Sequence, residues 1–163
     1  MGLMDKLKGA VKAVTGGAAK VTIEVPHAIV LPGMPAKCRV TAISTGAELK
    51  SGGCFLDVNG AETVQVNNVV PSGYRGQAPA QRVAVDLRDT QTTFQQSFQI
   101  APAFVLAPNE TKVIEGVFLL PGGIQPSFQG KNASHQWTVR GRIEAFGNDP
   151  DSGYQPFRVG LTV

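Results

Sequence analysis

The sequence predicts an all-β fold, an antiparallel sandwich of two sheets preceded by a short helix, and three observations lead to it. Apolar and polar residues alternate at period two in most segments after residue 18, as in strands that bury one face. Charged residues make up only 17% of the chain, below the ~25% typical of globular domains. Many of the 19 Gly and 11 Pro fall between the alternating segments, where turns are expected.

The first segment, residues 2–15, has the period of an amphipathic helix. One stripe collects its apolar side chains, and the opposite side carries Asp5, Lys8 and Lys12. Gly16 and Gly17 then end the helical pattern. We therefore predict a helix over residues 1–17 and a single sandwich domain over residues 18–163. The stripe consists of Leu3, Leu7, Ala10, Val11 and Val14, with Met4 at its edge.

The alternating segments predict the strands. The clearest are Val21–Val25, Cys38–Ala42, Phe94–Ile100, Trp137–Ala145 and Phe157–Val163, and others are expected near Phe55–Val58, Glu62–Val66, Val83–Leu87 and Lys112–Leu120. About eight or nine strands in a chain of this length fit a sandwich. The residues expected to form its core are Val21, Ile23, Val40, Phe98, Phe118, Trp137, Val139, Ile143, Phe157 and Val159.

Two connections are long and irregular, Asn67–Gln81 and Pro121–Ser134. Neither has a periodic pattern, and both are rich in Gly and Pro. Long irregular loops in a compact domain often bind a partner or are simply mobile.

The net charge of +3 is concentrated at one end of the chain. Residues 1–20 carry four Lys and one Asp, which accounts for the whole excess, and the rest carries 11 basic and 11 acidic residues. Nucleic-acid-binding domains more often carry a basic face across the fold. We therefore predict no nucleic-acid partner.

Cysteine content and hydropathy favour the cytoplasm. Cys38 and Cys54 could pair, but nothing in the sequence requires it, and buried free thiols are the simpler interpretation. No segment approaches the ~18 apolar residues of a membrane-spanning helix. Lysines interrupt the apolar residues at the N-terminus, unlike a secretory signal.

The residues available for catalysis do not form a recognisable set. Only His27 and His135 could act as general bases of ordinary pKa, and Ser127 lacks the glycine context of an exposed nucleophile. No phosphate-binding glycine loop is present, and the Cys and His residues lack zinc-ligand spacing. The sequence therefore predicts a protein that is not an enzyme, with no cofactor and no small-molecule substrate.

One short run offers weak candidates for a metal site. Asp149 and Asp151, with Asn148, could supply oxygen ligands to Ca²⁺. The run has no Glu placed for bidentate binding. A turn between two strands explains Asn, Asp, Pro and Gly better, because these residues favour turns.

Two passages resemble arrestin-like domains. The first is Val21-Thr22-Ile23 followed by Leu31-Pro32-Gly33 and a strand from Ala36. The second comprises Ala107-Pro108-Asn109-Glu110, Val117-Phe118-Leu119-Leu120-Pro121, Gln125-Pro126-Ser127-Phe128 and the strand that starts at Trp137. Asn109 stands where the family pattern has Gly.

Within that family the chain is most similar to the bacterial sporulation-control proteins. The likeness rests on a short amphipathic helix leading into Ala19-Lys20-Val21 and on Asn148-Asp149-Pro150-Asp151. The chain corresponds to one arrestin-like half, whereas those proteins have two. The resemblance implies an immunoglobulin-like, arrestin-like sandwich and protein recognition without catalysis.

These observations lead to three functional hypotheses. The first is a regulatory protein-binding adaptor or scaffold in a bacterial cytoplasm. The second is a structural subunit that self-assembles by strand or helix exchange, with Phe157–Val163 as the edge strand. The third is a peripheral membrane protein held by the N-terminal helix. The expected contact residues for a partner or membrane are Leu3, Met4, Leu7, Val11, Val14, Lys6, Lys8 and Lys12.

Overall fold

The computed structural model describes residues 19–69 and 85–161. Every regular element in these ranges is a β-strand, as the alternation predicts. The predicted N-terminal helix and most of the connection at 67–81 lie outside the described residues. The strands are β1 (Ala19–Glu24), β2 (Pro35–Ser44), β3 (Leu49–Val69), β4 (Val85–Ala101), β5 (Phe104–Leu106), β6 (Thr111–Leu119), β7 (Phe128–Gln129), β8 (Ala133–Ala145) and β9 (Gln155–Phe157).

The strands form two sheets. The smaller sheet has the order β1-β2-β6, and the larger has the order β4-β3-β8-β7, with β5 paired to β3 and β9 paired to β8. All pairings between these strands are antiparallel. A parallel bridge joins Val30 to Val159 and attaches the end of the chain to the connection after β1.

The predicted core is confirmed. Seven of the ten expected residues are buried, and Ile23, Phe98 and Phe157 are partly buried against them. The alternation identified them because each strand turns every second side chain toward the opposite sheet. Two close approaches of the sheets use glycine: a Cβ on Gly116 of β6 would lie 2.6 Å from Cβ of Ile100 on β4.

Two strands are longer than the sequence indicates. The predicted segments Phe55–Val58 and Glu62–Val66 are one continuous strand of 21 residues, β3. Gly60 sits within this strand because the Trp137 ring packs over it, where a Cβ would lie 3.1 Å from Cη2. Likewise Val83–Leu87 and Phe94–Ile100 were expected to be separate, but β4 runs unbroken over 17 residues. The residues taken as interruptions are bulges or close-packing positions inside strands.

The final predicted strand is also different. Strand β9 ends at Phe157, and Val159 makes only an isolated bridge. Strand β9 pairs with β8 through Trp137–Val139. The expectation that Phe157–Val163 forms a regular edge strand is therefore wrong for its described part, because the carbonyl of Arg158 and the amide of Gly160 bond to Val30 instead.

Asn109 adopts the left-handed backbone conformation, with φ of 61°. It lies in the turn before β6, where the amide of Glu110 donates to the carbonyl of Ala107. The Glu110 side chain accepts from the amide of Ala107 at 2.7 Å and closes the turn from the other side. A residue with positive φ explains why Gly is favoured here and why Asn substitutes for it.

We expect Asn109→Ala to lower the free energy of unfolding by about 1 kcal/mol, because alanine tolerates the left-handed region less well than asparagine. Asn109→Gly should change it by less than about 0.5 kcal/mol or raise it, since glycine adopts this conformation without strain. Urea unfolding of the two variants tests this. Equal destabilisation by both substitutions would show that the Asn109 side chain, and not its backbone conformation, is what the turn needs.

Candidate interaction surface

The predicted contact residues of the N-terminal segment, Leu3 through Val14, lie outside the described residues, so their role stays a prediction. The weak metal candidates Asp149 and Asp151 lie in the segment between β8 and β9. Across residues 19–69 and 85–161, no cluster of three or more His, Cys, Asp or Glu side chains could hold a metal ion.

Asp149 and Asp151 face arginines. The Arg142 guanidinium donates to Asp149 at 2.7 Å, and that of Arg140 donates to Asp151 at 3.2 Å. Both guanidinium groups also donate through Nε to the same oxygen of Asp57, at 2.9 and 3.1 Å. These five residues form one network on the outer face of the larger sheet, called here the arginine network.

The arginine network fastens the segment after β8 to the sheet. Backbone bonds from Ile143 to Pro150 and from Ser152 to Gly141 run alongside it. Burial disfavours the charged form of Asp57, but hydrogen bonds from Ser97, Arg140 and Arg142 outweigh it and hold the pKa of Asp57 below its ordinary value. This explains the Asn-Asp-Pro-Asp run as a structural turn bound by arginines.

The two histidines occupy separate places. His27 is exposed, whereas His135 on β8 is only 1% exposed, with Nε2 2.6 Å from the Thr93 hydroxyl. Burial is the largest influence on His135 and lowers its pKa, against the opposing effects of Glu62 and the Pro126 carbonyl. A neutral, buried imidazole between Phe128 and Trp137 is suited to packing.

The two thiols are poor nucleophiles. Both cysteines are free and buried. Burial raises the pKa of Cys38 to about 11 and that of Cys54 to about 12. A thiol in this state carries almost no thiolate near neutral pH.

The most unusual surface feature is the edge of the larger sheet. Within the described ranges, β4 pairs with β3 and with no other strand. The segment Thr90–Ala101 contains no charged residue and no proline. Edge strands are usually protected by lysine, proline or short length. The only irregularities here are bulges at Thr93 and Ile100, where the register with β3 shifts.

The stretch Phe94–Phe98 between these bulges is regular. Phe94 and Phe98 turn toward the core and pack against Trp137 and Phe118, with ring centroids 5.2 and 5.9 Å apart. Both rings are nevertheless only partly buried. Gln96 lies between them on the same side, opposite the buried Val58, and is exposed. The edge therefore presents backbone groups flanked by half-covered aromatic rings.

Two further apolar surfaces are exposed. The outer side of β6 carries Val113, Val117 and Leu119, each at least half exposed. Where β3 and β4 extend past the smaller sheet, Val66 pairs with Leu87 on the core-facing side, and both are exposed. Exposed apolar residues grouped on a sheet are a common mark of an interaction surface.

The sequence held a signal for this site that the alternation alone did not reveal. A stretch of 12 uncharged residues, Thr90–Ala101, is visible in the printed sequence. Its meaning depends on β4 lying at an edge, which follows from long-range strand order. No helix in the described part of the chain is long and apolar enough to cross a membrane.

No family model and no curated protein matches the chain. Among solved structures, the chain is similar to the sporulation control protein Spo0M from Bacillus subtilis, with a TM-score of 0.59 and 18% sequence identity over 90% of the chain. It is also matched, at a TM-score of 0.45 and 18% identity over 95% of the chain, to the Pseudomonas fluorescens alkylpurine DNA glycosylase AlkC, which was solved bound to DNA containing an abasic site analogue.

The chain spans 51% of the Spo0M chain and 33% of the AlkC chain. The TM-score for AlkC is too low to support an argument about either fold or activity. The likeness to Spo0M supports the resemblance seen in the sequence as a distant structural relationship. What it shows is the fold: an all-β arrangement of antiparallel sheets similar to about half of a sporulation control protein.

Proposed function

We propose that this chain is a non-enzymatic protein-binding scaffold or adaptor that binds by adding a strand along the free edge of β4. The observation that carries the proposal is the uncharged, proline-free edge Thr90–Ala101. An extended segment placed there would receive main-chain hydrogen bonds from β4 and would cover the exposed parts of Phe94 and Phe98.

The chemistry of the described residues supports binding over catalysis. Both cysteines are buried with raised pKa values, and His135 is buried in an aromatic cluster. The charged side chains of the arginine network are bonded to each other. The fold shared with a sporulation control protein accords with a regulatory role in the cytoplasm. The N-terminal segment remains a proposed second contact, to a partner or to a membrane surface.

A photo-crosslinking amino acid placed on the edge tests this proposal. We expect a crosslinker at Gln95, exposed on β4, to form adducts with another polypeptide in cells. The same group at Gln136 is the matched control, because Gln136 is also exposed but lies on β8, which is paired on both sides. The adduct should map to an extended segment of its partner.

A second variant tests whether pairing along the strand is responsible. Gln96→Lys places a charge on the core-facing side of the edge, which opposes strand addition. It should reduce the adduct from Gln95 by on the order of tenfold, the equivalent of about 1.4 kcal/mol. Equal adducts from Gln95 and Gln136, or no effect of Gln96→Lys, would contradict the proposal.

The alternative, a self-assembling structural subunit, is favoured by the same edge, since a second copy also carries a strand that can be added. The two differ in mass: an adaptor stays small as concentration rises, whereas a structural subunit grows into larger assemblies.

A further inference from the structure

We infer that the strand added to β4 is β4 of a second copy, paired antiparallel about a two-fold axis that passes through Gln96. This inference rests on the proposed role of the β4 edge as the binding site and identifies what occupies it. It requires that the edge be complementary to itself, and the described residues meet that requirement.

The faces of the sheet fix the allowed registers. In an antiparallel pair, residues directly opposite each other point to the same side. Phe94, Gln96 and Phe98 lie on the core-facing side because their partners on β3 are the buried Gly60, Val58 and Leu56. Gln95 and Ser97 lie on the outer side, where Ser97 donates to Asp57 at 2.7 Å. If the two-fold axis is perpendicular to the sheet, both copies keep their core-facing sides together.

An axis through Gln96 uses the whole regular stretch. The bulges at Thr93 and Ile100 bound that stretch, and Gln96 is the centre of Phe94–Phe98. Phe94 of each copy then lies opposite Phe98 of the other, and Gln95 lies opposite Ser97. Cross-strand aromatic pairs are among the stabilising pairs in sheets.

The residue on the axis must match itself, and glutamine does. Its side-chain amide has both a donor and an acceptor, so two copies of Gln96 can bond to each other. A charged residue there would oppose its own charge. The charged residues of β4 before Thr90, such as Arg88 and Asp89, lie outside the paired stretch. The absence of charge along this edge is therefore what a symmetric pairing needs.

The second layer fits the same arrangement. Strand β6 is the edge of the smaller sheet and lies over β4, as the contact of Gly116 with Ile100 shows. Two-fold pairing of β4 brings the two β6 edges toward each other and continues both layers across the axis. An interface of this kind is closed, so assembly stops at two copies.

The position of the axis gives a test by charge exchange. Gln96→Lys and Gln96→Glu should each weaken self-association by on the order of a hundredfold, because like charges meet at the axis. Mixing the two variants should restore a dimer, since opposite charges then meet. Masses are measured by sedimentation for each variant, for the mixture, and for Gln136→Lys, the control that should stay dimeric. Circular dichroism checks that every variant is folded.

A cysteine on the axis gives an independent readout. Gln96→Cys should form an intermolecular disulfide on mild oxidation with a copper–phenanthroline oxidant, since two such residues would face each other, whereas Gln136→Cys should not. Cys38 and Cys54 are buried and give little background. A dimer whose mass ignores both charge variants, and which forms no disulfide through position 96, would overturn the inference together with the proposed role of the edge.

Other outcomes separate the two proposals. A wild-type chain that stays monomeric over a wide range of concentration, but crosslinks from Gln95 to a different protein, would overturn the two-fold pairing and leave the scaffold proposal standing. Growth into assemblies larger than a dimer would also overturn the closed two-fold pairing.

Discussion

Replacing Trp137 by alanine should lower the free energy of unfolding by about 3–5 kcal/mol, as expected for removing a large buried aromatic side chain. Trp137 is 1% exposed. Its ring contacts Phe94 and Phe157 at centroid distances of 5.2 and 6.2 Å, and its Nε1 donates to the carbonyl of Gln125 at 3.0 Å. The substitution would leave a cavity between the sheets, which urea unfolding would register as a lower midpoint.

Phe146→Ala is the matched control. Phe146 is fully exposed, so its removal should change stability by less than about 0.5 kcal/mol, as for surface substitutions in general. The single tryptophan of the chain also gives a direct check, because its fluorescence in the folded protein should be that of a buried indole. A spectrum of a solvent-exposed indole would contradict the described core.

Replacing Asp57 by alanine should cost about 2–4 kcal/mol, because hydrogen bonds to charged groups contribute about 1.5–3 kcal/mol each and partly exposed groups recover some solvation. Asp57 accepts from Ser97, Arg140 and Arg142. Its side chain is 16% exposed, and those of Arg140 and Arg142 are 30% and 20% exposed. Removing the carboxylate leaves two partly buried guanidinium groups without their shared acceptor.

Glu115→Ala is the control for this prediction. Glu115 also pairs with an arginine, Arg39, at 2.9 Å, but both side chains are more than half exposed. Exposed pairs of this kind contribute about 0–1 kcal/mol. A loss as large for Glu115→Ala as for Asp57→Ala would show that burial does not set the strength of these pairs.

The pH dependence follows from the direction of the Asp57 shift. Its folded pKa is lower than its ordinary value, so its stabilisation is fully present above the unfolded pKa of about 3.9. That stabilisation is lost as the pH falls through the folded pKa. The stability difference between the wild type and Asp57→Ala should therefore shrink below about pH 4.

The sequence predicted the faces of the strands better than their extents. Alternation identified Val40, Trp137 and Ile143 as core residues because period two survives whatever partner a strand takes. It divided β3 at Gly60 because a glycine in a strand resembles a turn when the tryptophan that packs on it is 77 residues further along the chain. Asp149 and Asp151 were recognised as turn residues, but their arginine partners on β8 were not.

The candidate site could be predicted only in part. The uncharged stretch Thr90–Ala101 is local information, but its position at an edge depends on β4 pairing with β3 alone. The expected edge, Phe157–Val163, was chosen because terminal strands often lie at edges. In the folded chain its first residue pairs with β8 and Val159 bridges to Val30, which no local pattern indicates.

The length and position of β3 determine how the chain folds during synthesis. Its strand partners β4, β5 and β8 all follow it in the sequence, and β2 likewise waits for β6. A nascent chain that has reached Val69 therefore holds a long strand with no partner yet available. Folding that depends on distant pairings is slow, and exposed strand edges favour aggregation while it is incomplete. A chain that ends before β8 would leave one side of β3 permanently unpaired, so the domain has no natural point at which a shorter version could stand alone.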